Sequence, residues 1–424
     1  VGRDARDGTG LNTPVTTTAL AYDVARVRAL VPALADGVAY FDGPGGTQTP
    51  AFVAQAIAGA LTSGLSNRGR LTAAEQRADD ITMAARVAGA DLLGAEPGGV
   101  IFGRSMTDLT FDIARTLADH WGPGDEVIVS RLDHDANVRP WVRYADKTGA
   151  AVRWAAFDPG TGALQVEDVA SLLSDRTRVV ALTGASNLLG TRPDLAAIGA
   201  EVHRAGALFY VDGVHLTAHA PVDIDAIGAD FYACSPYKFL GPHLGMVVAS
   251  PALLQTLHPD KLRPSTEQVP ERFELGTLPY EMLAGVVAAV DVLADMVPGQ
   301  EASMSRRERV LRSMQALESY EDGLHAVLRA GLESIPGIRL YAHAPHRTPT
   351  ELFSITGWDS EDVYRRLAER GINAPSGSFY AIEAADWIGL GEPGAVRVGL
   401  APYSTAADVD RLISTLGDLA ADRD

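Results

Sequence analysis

Residues 208–246 read LFYVDGVHLTAHAPVDIDAIGADFYACSPYKFLGPHLGM, and two short apolar runs frame the stretch. The first, Leu208-Phe209-Tyr210-Val211, ends in Asp212. The second, Phe231-Tyr232-Ala233-Cys234, delivers Ser235, Tyr237 and Lys238 into a turn punctuated by Gly241-Pro242. Short runs rich in aromatic and β-branched residues, closed by turn formers, are expected as buried strands. An acid at the end of one such strand and a lysine just past another suit a carbonyl cofactor. The amine can form a Schiff base, and the carboxylate can hold a ring nitrogen protonated. A lone lysine beside a turn is more often a solvated surface charge, so Lys238 needs support from the rest of the chain.

Working outward, the same alternation repeats. Strands are predicted over 100–102, 126–130, 151–155, 177–182, 208–211, 231–233 and 245–249, with helices over 107–117, 136–145, 166–174, 194–205 and near Ile224. Nearly all-apolar strands separated by helices imply an α/β fold, a mostly parallel seven-stranded sheet covered on both faces. Ligands in such sheets bind beyond the carboxyl ends of the strands. Upstream, an amphipathic pattern over 22–34, an extended segment over 38–41, and helices over 50–61 and 71–93 are expected. Asp42-Gly43-Pro44-Gly45-Gly46-Thr47 is a turn, and 63–70 is a loop with two arginines. Downstream, a polar connector over 261–279 leads to a helix through Val287, Val290 and Leu293, then helices between Arg307 and Leu332. Strands over 338–341, 351–355 and 396–400, a helix over 360–370 and a closing helix over 405–416 capped by Ser404 or Thr405 form a smaller α+β C-terminal domain,. The expected division is a flexible tail over 1–19, a segment over 20–40 packing on the small domain, a large cofactor-binding domain over 41–290 and the small domain over 291–424.

Composition narrows the function. The 424 residues, 46% hydrophobic, suffice for more than one core,. Acidic residues outnumber basic ones 54 to 36, giving a formal charge of −18, which disfavours nucleic acid and anionic membranes as partners,. One cysteine excludes an intrachain disulfide and a cysteine-built metal site, and suits a cytoplasmic protein,. No apolar run reaches the roughly 20 residues of a membrane span, and the first residues hold no signal-peptide core.

With these residues in view, the stretch from Asp212 to Lys238 resembles the cofactor-lysine region of class V aminotransferases. This pyridoxal-phosphate (PLP) family includes cysteine desulfurases, selenocysteine lyases and kynureninases, and the chain is most similar to the cysteine desulfurase-like branch. The resemblance covers roughly residues 36–420. It implies fold type I of the PLP-dependent transferases, PLP as cofactor, a small amino-acid substrate and a homodimer with shared active sites. Lys238, His134 and Asp212 are then the expected catalytic residues, with His134 of Asp133-His134-Asp135-Ala136 on the pyridine ring and Asp212 at its nitrogen. The turn Gly103-Arg104-Ser105-Met106-Thr107-Asp108 follows a strand and opens a helix. By itself it fits a helix cap or an anion site; the resemblance implies that Ser105, Met106 (through its backbone) and Thr107 grip the cofactor phosphate. Ser235 and Tyr237 are expected at the same phosphate, Tyr237 standing where most members carry histidine. Thr277 is expected to cross from the second subunit, and Arg68 to reach the rim of the partner's site.

His215 stands where desulfurases usually have a glutamine bonding the ring's phenolic oxygen. His219, four residues on, has no third ligand at sensible spacing, so no metal is expected. Asn187, in Ala185-Ser186-Asn187, and Arg397, in Val396-Arg397-Val398, are implied at the substrate. An arginine inside an apolar strand needs a partner, and a carboxylate gripped by two donors supplies one,. The resemblance fails where a desulfurase presents its mobile, persulfide-forming cysteine. Residues 371–380, GINAPSGSFY, contain none, although Asn373, Ser376, Ser378 and Tyr380 could line the pocket. Cys234 reads as a buried core residue. The expected function is a PLP-dependent enzyme, cysteine desulfurase or C–S lyase-like, lacking a persulfide relay. An aminotransferase or amino-acid epimerase of the same family, and a non-catalytic PLP-fold binding protein, remain alternatives.

Overall fold

A computed structural model describes residues 22–421; the tail expected over 1–19 lies outside them. After a two-residue strand β1 (Ala39–Tyr40) come the seven strands of the large sheet: β2 (Val100–Gly103), β3 (Glu126–Ser130), β4 (Ala151–Ala155), β5 (Thr177–Thr183), β6 (Leu208–Asp212), β7 (Phe231–Cys234) and β8 (Gly245–Ala249). Their order is β2-β8-β7-β6-β5-β3-β4, and only β8 runs antiparallel to its neighbours. All seven predicted strands are present.

Their two faces explain why the runs are apolar throughout. Ile128, Val180, Leu182, Phe209, Val211, Tyr232 and Cys234 enter one core. Val127, Val129, Val179, Ala181, Tyr210, Phe231 and Ala233, one residue out of step, enter another. Period-two alternation with both faces covered leaves no polar face to write into the sequence. At the sheet edge, β4 alternates, with Ala151 and Arg153 exposed. The parallel registers pair Thr183 with Asp212 and Asp212 with Ala233, so the carboxyl ends of β5, β6 and β7 lie side by side.

A four-stranded antiparallel sheet, ordered β12-β13-β10-β9, carries the C-terminal part: β9 (Ile338–Leu340), β10 (Thr350–Ile355), β12 (Ser376–Gly377) and β13 (Ala395–Gly399). The short β11 (Ile372–Asn373) pairs in parallel with β1 as a separate two-stranded sheet, and the Gly399 N–H of β13 donates to the Phe41 carbonyl at 2.7 Å, which ties the N-terminal segment to the C-terminal part. A third core lies here, with Leu324, Leu328 and Leu332 packed against Phe353, Val396 and Val398.

Three local expectations need correction. The pattern over 22–34 is a helix only over Val24–Ala29 and then a 3-10 turn over Pro32–Asp36, because Pro32 lacks the N–H that would continue the ladder. Between Arg307 and Leu332 there is one helix, Arg306–Ser334, opened by a Ser305–Glu308 capping box,. It starts among residues of the first core (Val310, Met314, Leu317) and ends in the third. Helices over Pro251–Thr256 and Ile382–Trp387 were not anticipated.

Candidate active site

The strand ends build one side of a cavity of about 760 Å³. Asp212 closes β6, is 5% exposed, and its Oδ1 accepts the Val214 N–H at 3.0 Å. Burial raises its carboxyl to about 6, against the Val214 bond and the nearby Lys238 charge, which favour ionisation,. Past β7, Ser235 leads a single 3-10 turn over Pro236–Lys238. This turns Lys238 back toward the N-terminal loop, where Nζ donates to the Gly45 carbonyl at 2.9 Å and to that of Pro44. Desolvation, then the Arg397 charge, push the ammonium down to about 7, while Asp42 and Asp212 oppose the shift. An amine with that pKa is substantially uncharged near neutral pH.

After β3, His134 caps a one-turn 3-10 helix and its Nδ1 accepts the Ala136 N–H at 3.0 Å. The neutral ring therefore carries its proton on Nε2; burial and the Lys238 charge hold its pKa down at about 4. Beneath it, buried Asp133 accepts from Ser130 Oγ and from Asn137 Nδ2 (2.7 Å), and Asn137 Oδ1 accepts from Trp141 Nε1 (3.1 Å). Burial lifts the Asp133 carboxyl to about 8.

Met106 and Thr107, in the first turn of the helix Met106–Ala118, line the same cavity, as do Ser235 and Tyr237. Ser105 is the cap of that helix: its Oγ accepts the Asp108 N–H at 3.1 Å, and it does not line the cavity. The turn sits directly on β8, where a Cβ on Gly245 would fall 2.1 Å from the Ser105 carbonyl carbon. His215 lines the cavity with Nε2 at 2.9 and 3.1 Å from the Thr348 and Thr350 hydroxyls. His219 turns away to Glu321 at 2.8 Å. Among the described residues, no group of three or more histidine, cysteine or acidic side chains is arranged to hold a metal.

The opposite side is assembled from distant segments. Arg397 on β13 is 2% exposed; its Nη1 donates to the Asn187 carbonyl (3.0 Å) and its Nη2 to Asp42 Oδ1 (2.6 Å). Asn187 Nδ2 donates to the Phe379 carbonyl at 2.9 Å. Asn187 Oδ1 and Arg397 Nε are buried without a protein partner. Tyr380 lies beside the His134 ring, centroids 5.6 Å apart. The sequence reading missed Asp42, Pro44, Gly45 and Phe379 as parts of the site. Gly45 leaves room for the Asp42 carboxylate, since a Cβ there would lie 2.1 Å from Oδ2.

Besides Ser105, two expected residues stand apart from this cavity within the chain. Thr277 lines a separate cavity of about 560 Å³ with Arg104 and His243. Arg68 is paired with Asp79 (2.8 Å) and Glu271 (3.0 Å).

The family model for aminotransferase class-V matches residues 39–412. The chain belongs to this family. Within the class V aminotransferases it is similar over 403 residues, at 38% identity, to an uncharacterized protein of Mycobacterium tuberculosis, covering 94% of this chain and 100% of that one. It is 30% identical over 396 residues to a probable cysteine desulfurase of Pseudomonas aeruginosa, covering 90% and 94%. A crystal structure of a cysteine desulfurase from Escherichia coli matches with a TM-score of 0.83 at 29% identity, over 95% of this chain and 99% of the other. The chain is thus a PLP-fold enzyme of the desulfurase-like class V branch, with the type I architecture. Its single cysteine, Cys234, is fully buried at the end of β7, where desolvation raises the thiol pKa.

Proposed function

We propose that this class V enzyme binds PLP on Lys238 and labilises a bond at the α-carbon of a small amino acid, with β-elimination of the C–S lyase type as the leading reaction. The observation that carries the reading is the convergence of Lys238, Asp212, His134 and Arg397 on one cavity. The residues fit the cofactor. The first turn of a helix, with Thr107, Ser235 and Tyr237 nearby, suits a phosphate,. The orphaned Asn187 Oδ1 and Arg397 Nε are an acceptor and a donor that a ligand would satisfy,. When bound, PLP supplies an electron sink for the α-carbon.

The chain's own groups do the rest. The Met106 N–H, Thr107, Ser235 and Tyr237 hold the phosphate, and Ser105 shapes that turn as its cap. Asp212 keeps the ring nitrogen protonated, His134 covers the ring and His215 contacts its phenolic oxygen. Lys238, as a free amine, moves the proton of the substrate α-carbon. Arg397 and Asn187 hold the α-carboxylate. With no loop cysteine and Cys234 buried, released sulfur leaves as sulfide or a small-molecule persulfide rather than on the protein,.

The reading includes a cytoplasmic homodimer in which Thr277 and Arg68 serve the partner's site, with the cofactor-binding domain over 41–290 and the small domain beyond it. No helix among the described residues is long and apolar enough to cross a membrane. The test is a screen of L- and D-amino acids, including cysteine, cystine and serine derivatives, with cofactor-loaded protein. Pyruvate and sulfide without a persulfide on Cys234 are expected. A keto acid retaining the side chain, or an inverted enantiomer, would replace the lyase assignment with transamination or epimerisation. Absence of any lysine-dependent cofactor absorbance would leave a binding protein.

A further inference from the structure

Phe379 and Tyr380 both take left-handed backbone, φ 53° and 59°, although neither is glycine, a conformation L residues keep only when their surroundings hold it. Here they are held from both sides. The Phe379 carbonyl accepts from Asn187 Nδ2 (2.9 Å) and the Tyr380 carbonyl from the Asp135 N–H (2.7 Å). The helix that follows, Ile382–Trp387, is fastened to the large sheet. Glu383 pairs with Arg131 (3.4 Å) and Arg139 (3.2 Å), and Trp387 Nε1 donates to the Phe157 carbonyl at 2.8 Å. The Arg131 guanidinium lies over the Trp387 ring, 4.7 Å from its centroid.

This anchorage brings the Phe379 ring onto the face of the Arg397 guanidinium, with Cζ 3.7 Å from the ring centroid. Asp42 and the Asn187 carbonyl fix two bonds of the guanidinium nitrogens, and the ring covers one face. A planar donor set grips a carboxylate only along its edges, so fixing the plane fixes the direction from which a carboxylate can be received.

We infer that Phe379 is a positioning residue for the carboxylate subsite, holding the plane of Arg397 so that substrates carrying an α-carboxylate are selected. This rests on the reading of Arg397 as the carboxylate-binding group. Aminooxyacetate and O-methylhydroxylamine attack the bound cofactor with the same atom, and only the first carries a carboxylate. The ratio of their second-order rate constants, followed by the absorbance of the cofactor-loaded enzyme, therefore isolates the carboxylate contact without requiring turnover.

The native protein should favour aminooxyacetate, and Arg397→Ala should bring the preference down to the intrinsic ratio of the two reagents. Phe379→Leu, which nearly keeps volume but not the π face, should lower the ratio about three- to tenfold. Phe379→Tyr should retain the native ratio, and Phe379→Met gives the same reading as leucine if the leucine variant does not fold. A native ratio in both Phe379→Leu and Phe379→Met, with the Arg397→Ala ratio collapsed, would overturn the inference alone. A native ratio in Arg397→Ala would overturn the underlying reading of Arg397 as well.

Discussion

On the large-sheet side of the cavity, Asp212 ends a buried strand and His134 and Lys238 each lie within four residues of the end of one. On the other side, Asp42, Asn187, Phe379 and Arg397 come from four separate segments that meet only in space. Ladder hydrogen bonds among β3, β5, β6 and β7 fix the strands that carry the first group, and a shift of register would move whole core faces. The second group depends on one hydrogen-bonded cluster, so loss of any member loosens the others. In the proposed reading, the ends of β3, β6 and β7 supply the groups for chemistry, and β13, the N-terminal turn and the loops at Asn187 and Phe379 supply those for recognition.

The comparison breaks most visibly at the lysine. Lys238→Ala should lower kcat by about 10³-fold or more, because no other amine lines the cavity among the described residues,; rapid-quench or steady-state product assays check this. Asp212→Asn, nearly isosteric, should cost about 10²-fold in kcat with little change in KM, since its proposed partner is the cofactor ring. On the recognition side, Arg397→Ala should reduce kcat/KM by about 10²-fold, raising KM and lowering kcat together through misorientation. Arg397→Lys should recover only part, because an ammonium lacks the planar fork.

The smallest effect concerns pH. The rate of cofactor attachment to the apoprotein should rise with pH through a midpoint near 7, the pKa of Lys238, as the ammonium becomes a nucleophilic amine, and level off above it. Arg397→Gln removes a positive charge that disfavours the ammonium, so the midpoint should move upward. Asp212→Asn removes a negative charge that favours the ammonium, so it should move downward. Stopped-flow absorbance across pH 5.5–8.5 (roughly a unit and a half beyond the midpoint on either side) distinguishes these signs.

The asymmetry between the two sides also governed what could be read from the chain. The central strands stand out because a strand buried on both faces is a nearly unbroken apolar run, and the loop after each then marks a site position. Lys238, Asp212 and His134 stood at such positions and took their roles from the resemblance to class V aminotransferases, while Arg397 drew notice because a cation in such a run demands a partner. Asp42 was not, because an acid before Gly-Pro-Gly reads as turn chemistry, and its carboxylate acquires meaning only against β13. Phe379 was hidden for a related reason: the left-handed backbone it shares with Tyr380 is held by bonds from Asn187 to its own carbonyl and from Asp135 to that of Tyr380, both far away in sequence. The short helix Ile382–Trp387 has no side-chain cap to announce it. His215 lines the cavity, but its bonds to Thr348 and Thr350, just before and at the start of β10, leave no local trace in the sequence.

The central claim, that Lys238 carries the cofactor within the cavity it shares with Asp212 and Arg397, is tested most directly by borohydride reduction of the PLP-loaded protein followed by peptide mass mapping. A pyridoxyl label confined to Lys238, lost in Lys238→Ala and retained in Arg397→Ala, is the result this account predicts. A stoichiometric label on Lys147, Lys261 or any amine other than Lys238 would contradict it.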